Sequence, residues 1–217
     1  GSLGPTCDGP RIDIVRAVVE EDTGDLLVGG AFSSVEGRAS PRIARLLADG
    51  TPRPGALDPT FGDNGLVVAA GGRSSSGSYD VEVQPDGRIV SVGWTSGAGG
   101  RVSVLRLTSD GQPDPSFGGG DGAVATNLTS GDEWAHAVAL QPDGRIVVAG
   151  HAGGPSGPMA LLRYLPDGRL DRSFSGDGKM TIDFGYGAEV AYDVAVLANA
   201  KILVAGAVDG RGGQIGL

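Results

Sequence analysis

VALQPDGRIVVAGH, residues 138–151, decides the architecture, because it recurs as VEVQPDGRIVSVGW at 81–94 and as VAVLANAKILVAGA at 194–207. Those spacings are 57 and 56 residues; an earlier copy, VVEEDTGDLLVGGA at 18–31, is offset by 63 because its unit carries an insertion near 53–56. A motif returning at such a period marks stacked supersecondary units, none of which buries its apolar face alone. Within the motif two apolar runs flank a tight turn. Pro85 and Pro142 fix φ while Gly87 and Gly144 accept a positive φ, so each copy reads as a hairpin. In the fourth copy Leu197-Ala198-Asn199-Ala200 replaces Gln-Pro-Asp-Gly, and its turn is expected to be built differently.

A second block recurs inside each unit: LDPTFGDNGLVV at 57–68, PDPSFGGGDGAVA at 113–125 and LDRSFSGDGKMTI at 170–182. It places Phe61, Phe117 and Phe174 in one column, and a recurring aromatic after a turn is expected to plug the core. Arg45, Arg106 and Arg163 each precede an Asp-Gly and are each followed by an acid of the next link, Asp58, Asp114 or Asp171, which suggests a repeated ion pair pinning that link. The second repeat resolves into four strands, at about 79–84, 88–94, 102–108 and 123–128, all short, β-branched and bounded by turn residues. No stretch has the 3.6-residue period of a helix. The first strand of each unit is apolar on both faces, as in Val138-Ala139-Leu140, and is expected to be buried on both sides.

The fold class is therefore all-β: a β-propeller-type repeat of about three and a half four-stranded blades, a partial propeller. A β-sandwich gives no reason for one motif to return four times. Residues 1–11 read as a leader in which Gly1-Ser2 resembles a cloning scar, and 12–217 read as a single repeat domain. The repeats run over about 12–77, 78–134, 135–190 and 191–217, the last truncated inside its third strand. An arc that stops there is expected to meet further propeller blades or to self-associate through its open ends.

The DPSFG segment at 114–118, the AVALQPDGRIVVAG stretch at 137–150 and the Arg-Tyr-x-x-Asp-Gly run at 163–168 resemble the delta-60 repeat, from about residue 12 onward. That family occurs in tandem in bacterial surface or secreted proteins. The resemblance implies a propeller-like fold and an exported bacterial protein, secreted or at the cell surface. It implies no activity.

Composition narrows the partners. With 17 basic against 26 acidic residues, a net charge of −9 and scattered arginines, nucleic acid is not expected. No apolar run is long enough to insert a helix into a membrane. Cys7 is the only cysteine, so no internal disulfide forms. Neither a metal nor a cofactor is expected: the Asp-Gly turns carry one acid each, and no Walker loop, G-x-S-x-G, H-E-x-x-H or C-x-x-C occurs. Asn127-Leu128-Thr129 matches a glycosylation sequon at a strand end.

Antiparallel strands alternate direction, so the near-identical Pro-Asp-Gly and Asp-Pro-Ser-Phe-Gly links share one face and the dissimilar loops share the other. The dissimilar loops are SSVEGRASP, TSGAGG and AGGPSGP between second and third strands, and GGRSSSGS, TSGDE and GYGAE between repeats. Variable loops on a rigid scaffold are where binding sites arise. Two columns border that face: Ala31, Trp94, His151 and Ala207 end the second strands, and Arg16, Tyr79, His136 and Tyr192 begin the first. Pairing through the turn puts His151 opposite Trp134 or Ala135. The candidate binding residues are Trp94, Trp134, His136, His151, Tyr79, Tyr192 and Arg16, for a protein or glycan ligand. Two histidines alone are a poor zinc site. The reading is a non-enzymatic interaction module with no catalytic residues. Its rival is a glycosidase-like hydrolase using the inner-strand carboxylates Asp80, Glu82 and Asp193, provided that these converge.

Overall fold

The computed structural model describes residues 14–31, 34–35, 38–39, 43–48, 56–67, 76–95, 100–154, 156–208 and 214–216, and no helix occurs among them. Short β-branched runs separated by Gly, Pro and Asp turns fold into consecutive antiparallel sheets. The first blade is β1 (Ile14–Glu20), β2 (Leu26–Ala31), β5 (Ile43–Leu46) and β6 (Leu66–Val67), with a small hairpin of β3 (Ser34–Val35) and β4 (Arg38–Ala39) between β2 and β5. The second is β7 (Ser76–Val83), β8 (Ile89–Thr95), β9 (Arg101–Leu107) and β10 (Ala123–Thr126). The third is β11 (Trp134–Leu140), β12 (Ile146–His151), β13 (Met159–Tyr164) and β14 (Lys179–Ile182). A fourth, three-stranded sheet holds β15 (Glu189–Val196), β16 (Ile202–Val208) and β17 (Gln214–Gly216). Each sheet keeps its strands in chain order, which is the blade of a propeller.

The core lies between the sheets. Strand alternation lets one strand feed two cores: β12 sends Ile146 and Val148 toward the second blade, where they meet Val90, Val92 and Phe117, and sends Val147 and Ala149 toward Ala191 and Val194 of the fourth. The seam of blades one and two is closed by Leu27, Ile43 and Phe61 against Val81, Ile89 and Leu107. Each such side chain removed from water contributes about 1.5–3 kcal/mol, so a blade is held chiefly by its neighbours. Tyr164 ties two blades by a hydrogen bond as well, its hydroxyl donating to Thr126 Oγ1 at 2.8 Å. Burial of the first strand on both sides therefore holds for the central blades only. Val15 and Val18 of β1 are 57% and 56% exposed, and Ala195 of β15 is exposed beside its partner Leu203 of β16, itself 47% exposed, because those faces have no packed neighbour among the described residues.

The phenylalanine column is core, with Phe61 and Phe117 fully buried and Phe174 partly so. Over each ring lies the guanidinium of its own repeat: Arg45 over Phe61 at 4.6 Å, Arg106 over Phe117 at 4.7 Å and Arg163 over Phe174 at 4.9 Å. The arginines reach the expected acids, Arg106 Nε to Asp114 at 2.8 Å and Arg163 Nε to Asp171 at 2.8 Å, while Arg45 stands 3.5 Å from Asp58 and grips Glu21 more closely, at 2.6 Å. Arg88 and Arg145, from the turns, add a second cation to Asp114 and Asp171. Adjacent blades interlock here, since the Gly62 N–H donates to Asp110 O and the Gly118 N–H to Asp167 O.

The fourth turn corrects an expectation. It is not built differently: the Leu197 N–H donates to Lys201 O and the Ala200 N–H to Leu197 O, as the Gln141 N–H donates to Arg145 O and the Gly144 N–H to Gln141 O. Asn199 Oδ1 accepts the Lys201 N–H as Asp143 Oδ1 accepts that of Arg145. Ala200 takes the left-handed position at φ 61°, where Gly144 stands at 81°. The Asx bond and the strand pairing outweigh the roughly 1 kcal/mol disadvantage of alanine in that region.

Candidate functional site

One irregularity recurs in all four inner strands. Pairing with the second strand skips a residue between Val15 and Ala17, between Ser78 and Asp80, between Ala135 and Ala137, and between Ala191 and Asp193. The extra residues are Arg16, Tyr79, His136 and Tyr192, the column singled out above, so a β-bulge aims each of these side chains. The second strand permits it with a glycine. A Cβ on Gly150 would lie 1.9 Å from Trp134 O, and Gly93 and Gly206 meet the equivalent carbonyls at 1.8 and 2.1 Å.

Aimed this way, the column runs as a chain of contacts from blade to blade. The Arg16 guanidinium lies 4.2 Å from the centre of the Tyr79 ring, Tyr79 meets His136 edge-on at 5.0 Å, and His136 meets Tyr192 at 5.6 Å. The second-strand column joins it. Trp134 pairs with His151, their rings 5.4 Å apart; His136 Nε2 and His151 Nδ1 are 3.1 Å apart; and Trp94 lies 6.1 Å from Trp134. Trp94 has room because position 77 is glycine, where a Cβ would fall 2.6 Å from its Nε1. All seven candidate binding residues thus form one contiguous aromatic and imidazole cluster bordering the variable loops.

Burial, with the neighbouring His151 and Arg16 charges, lowers the His136 pKa to about 4, and burial lowers that of His151 against the pull of Asp132. Both rings are neutral at physiological pH, one N–H donating to the other ring's nitrogen. Among the described residues no group of three or more His, Cys, Asp or Glu side chains is placed to hold a metal ion.

Asp80 and Asp193 each follow a bulge. Asp80 Oδ1 accepts the Val81 N–H at 2.9 Å and Oδ2 accepts the N–H of Val138, in the next blade, at 2.8 Å; Asp193 Oδ1 accepts the Val194 N–H at 2.8 Å. Burial raises the Asp80 pKa, with the Asp193 charge adding, and burial plus the Asp80 charge raises that of Glu82. The carboxylates sense one another, yet Asp80 has both oxygens engaged by backbone.

Sequence reading missed Glu133 and Glu189, both fully buried at the mouths of β11 and β15. Glu133 Oε1 accepts the N–H groups of Leu128 and Thr129; Glu189 Oε1 accepts those of Phe184 and Tyr186. Each folds an inter-blade loop over its own carboxylate. The signal was present in the final Glu shared by TSGDE and GYGAE, loops otherwise dissimilar.

A family model described as "Domain of unknown function (DUF5122) beta-propeller" matches residues 23–52, 84–117 and 141–174. The second and third spans each run from the glutamine before a Pro-Asp-Gly turn to the phenylalanine of the following link, so the chain carries propeller repeats. No curated protein matches. Among solved structures, a catalytically inactive variant of virginiamycin B lyase from Staphylococcus aureus with quinupristin aligns at TM-score 0.50 and 11% identity, over 95% of this chain and 56% of the other. A protein of unknown function from Dyadobacter fermentans aligns at TM-score 0.45 and 12% identity, over 88% of this chain and 56% of that one. This chain spans just over half the length of either, and at 11% identity the likeness to the lyase is one of fold.

Proposed function

We propose that this run of propeller repeats is a non-enzymatic binding module whose ligand seats on the aromatic and histidine cluster of the variable face. The observation that carries the reading is the bulge repeated in four blades, which gathers Arg16, Tyr79, His136 and Tyr192 beside Trp94, Trp134 and His151. Amphipathic rings held rigidly at one surface are the anchors that interfaces use. In this reading the repeats are of the delta-60 kind, which the motifs at 114–118 and 137–150 support, and the parent is an exported bacterial surface or secreted protein.

A hydrolase acting through Asp80, Glu82 and Asp193 has less support. Both Asp80 oxygens accept backbone N–H groups, which leaves that carboxylate a blade-to-blade clip. Probing protein and glycan arrays with the wild-type chain and with a Trp94→Ala/His151→Ala double variant tests the module. Ligands bound by the wild type and lost by the folded variant are expected; ligands bound equally by both would remove the cluster from the interaction.

A further inference from the structure

The seams on either side of the third blade are built from equivalent positions filled by different side chains. Between blades two and three, Trp94 of β8 lies against Trp134 of β11, their rings 6.1 Å apart. Between blades three and four the same positions hold His151 of β12 and Val190 of β15. An imidazole and an isopropyl group take the place of two indoles, and the second seam keeps a cleft of about 300 Å³. That volume is at the lower end of small-ligand sites.

Trp134, His136, His151 and Tyr192 line the cleft with Asp132 and Glu189, and among the described residues no Lys or Arg lines it. His136 stands between Trp134 and Tyr192, with ring centres at 6.4 and 5.6 Å, so aromatic surface flanks the opening. The side chain of Glu189 is fully buried, and while Oε1 accepts loop N–H groups, Oε2 has no hydrogen-bond partner among the described residues. Glu133 holds its own loop in the same way and also leaves Oε2 without a partner, but it does not line the cleft. A half-used buried carboxylate, a second acid and the negative faces of aromatic rings together ask for a cation. The imidazoles do not oppose it, being neutral. A metal ion wants its oxygen and nitrogen ligands converging on one point, and among the described residues no three His, Asp or Glu side chains are grouped in that way.

We propose that the cleft between the third and fourth blades binds a methylated ammonium headgroup, such as choline and trimethyl-lysine share. This assignment rests on the reading of the cluster as a binding face and names what one part of it takes. The methyl groups lie on Trp134 and Tyr192 while the positive charge is offset by Glu189 and Asp132. Cation–π recognition of quaternary ammonium groups has this composition.

Titration of the 217-residue chain with choline, followed by calorimetry and by tryptophan fluorescence, tests it. A neutral analogue in which a tert-butyl group replaces the trimethylammonium serves as control, and N-acetyl trimethyl-lysine amide as a peptide-type probe. One of the two cations is expected to bind about 10-fold or more tightly than the neutral analogue, and the tighter cation identifies the source. Tyr192 is 58% exposed, so Tyr192→Leu keeps the fold and is expected to weaken binding about 5-fold or more. Glu189→Gln retains a carbonyl for the loop N–H groups and is expected to weaken the cation selectively. Equal affinity for the neutral analogue, or binding indifferent to Tyr192→Leu, overturns the proposal. If neither cation binds while the arrays find a ligand lost in the Trp94 and His151 variant, the ammonium assignment alone is overturned and the binding face stands.

Discussion

His136 Nε2 and His151 Nδ1 meet at 3.1 Å across the first hairpin of the third blade, although the two residues are not register partners. The bulge at His136 swings its ring past Ala135 and Ala137, and the ring of His151, paired with Trp134, stacks on it at 5.2 Å. Packing sets the protonation of this pair. In the unfolded chain His136 titrates near its usual 6.5, whereas folded it titrates at about 4. Between those values the unfolded state binds the extra proton, so stability is fully present above pH 6.5 and falls as pH drops toward 4. A loss on the order of 2 kcal/mol is expected over that interval. Urea unfolding of wild type and His136→Gln at about pH 7 and pH 5 checks the sign. A wild type no more pH-sensitive than the variant would contradict it.

Gly150 is expected to be among the least replaceable residues of the third blade. A Cβ 1.9 Å from Trp134 O cannot be accommodated without flattening the bulge. Gly150→Ala should cost about 3 kcal/mol or more and shift the emission of the chain's two tryptophans, both of which lie in the cluster. An unchanged denaturation midpoint and spectrum would show that the close approach is not needed.

Arg106 is 4% exposed and spends its guanidinium on Asp114, on Ser116 Oγ at 2.9 Å and on the Pro166 carbonyl of the next blade. Replacement by Ala leaves the buried Asp114 with Arg88 as its remaining cation and frees a seam, at about 3 kcal/mol. Arg169, paired with Asp167 with both side chains largely in solvent, should cost less than about 0.5 kcal/mol. Parallel chemical denaturation of the two variants measures the difference, and equal losses would refute the seam's role.

Ala200→Gly is expected to stabilise the chain by about 0.5–1 kcal/mol, because alanine now sits at φ 61° in a turn where the three other repeats have glycine, Gly24, Gly87 and Gly144. Thermal unfolding reads the gain. A loss would mean that the entropy of the unfolded glycine outweighs the relieved strain.

Exposed Val15 and Val18 on one end blade and Leu203 on the other are apolar groups of the kind that seams elsewhere bury. Self-association through these ends is the expected behaviour of the isolated chain. Light scattering at micromolar concentration is expected to show species above the monomer mass, reduced by Val18→Lys. A monomer at all concentrations would oppose it.

Four blades were legible because repetition is a one-dimensional property. The return of VALQPDGRIVVAGH, the Phe61, Phe117 and Phe174 column and the alternation of Val147 with Val148 are each visible in sequence, and the local physics of turns and strands converts them to hairpins. The two-residue period and the turn place His151 opposite Trp134 or Ala135, and it is the bulge at His136 that selects Trp134. The Ala200 turn departs from the expectation because it requires neither a proline nor a glycine where the Asx bond of Asn199 and the flanking strands suffice.

Only the tertiary structure decided where the side chains of the two columns point. A bulge adds one residue to one strand, and no residue type common to the four positions, an arginine, a histidine and two tyrosines, announces it. Its cause lies across the sheet, in the space that Gly93, Gly150 and Gly206 leave for a carbonyl. The burial of Glu133 and Glu189, the neutral histidine pair and the cleft at the third seam likewise depend on how one blade leans on the next. Sequence determines which surfaces are apolar and how often they return, since those are local sums over residues. Which polar groups end up facing each other is set by the packing of whole sheets, a distance in space that separation along the chain does not encode.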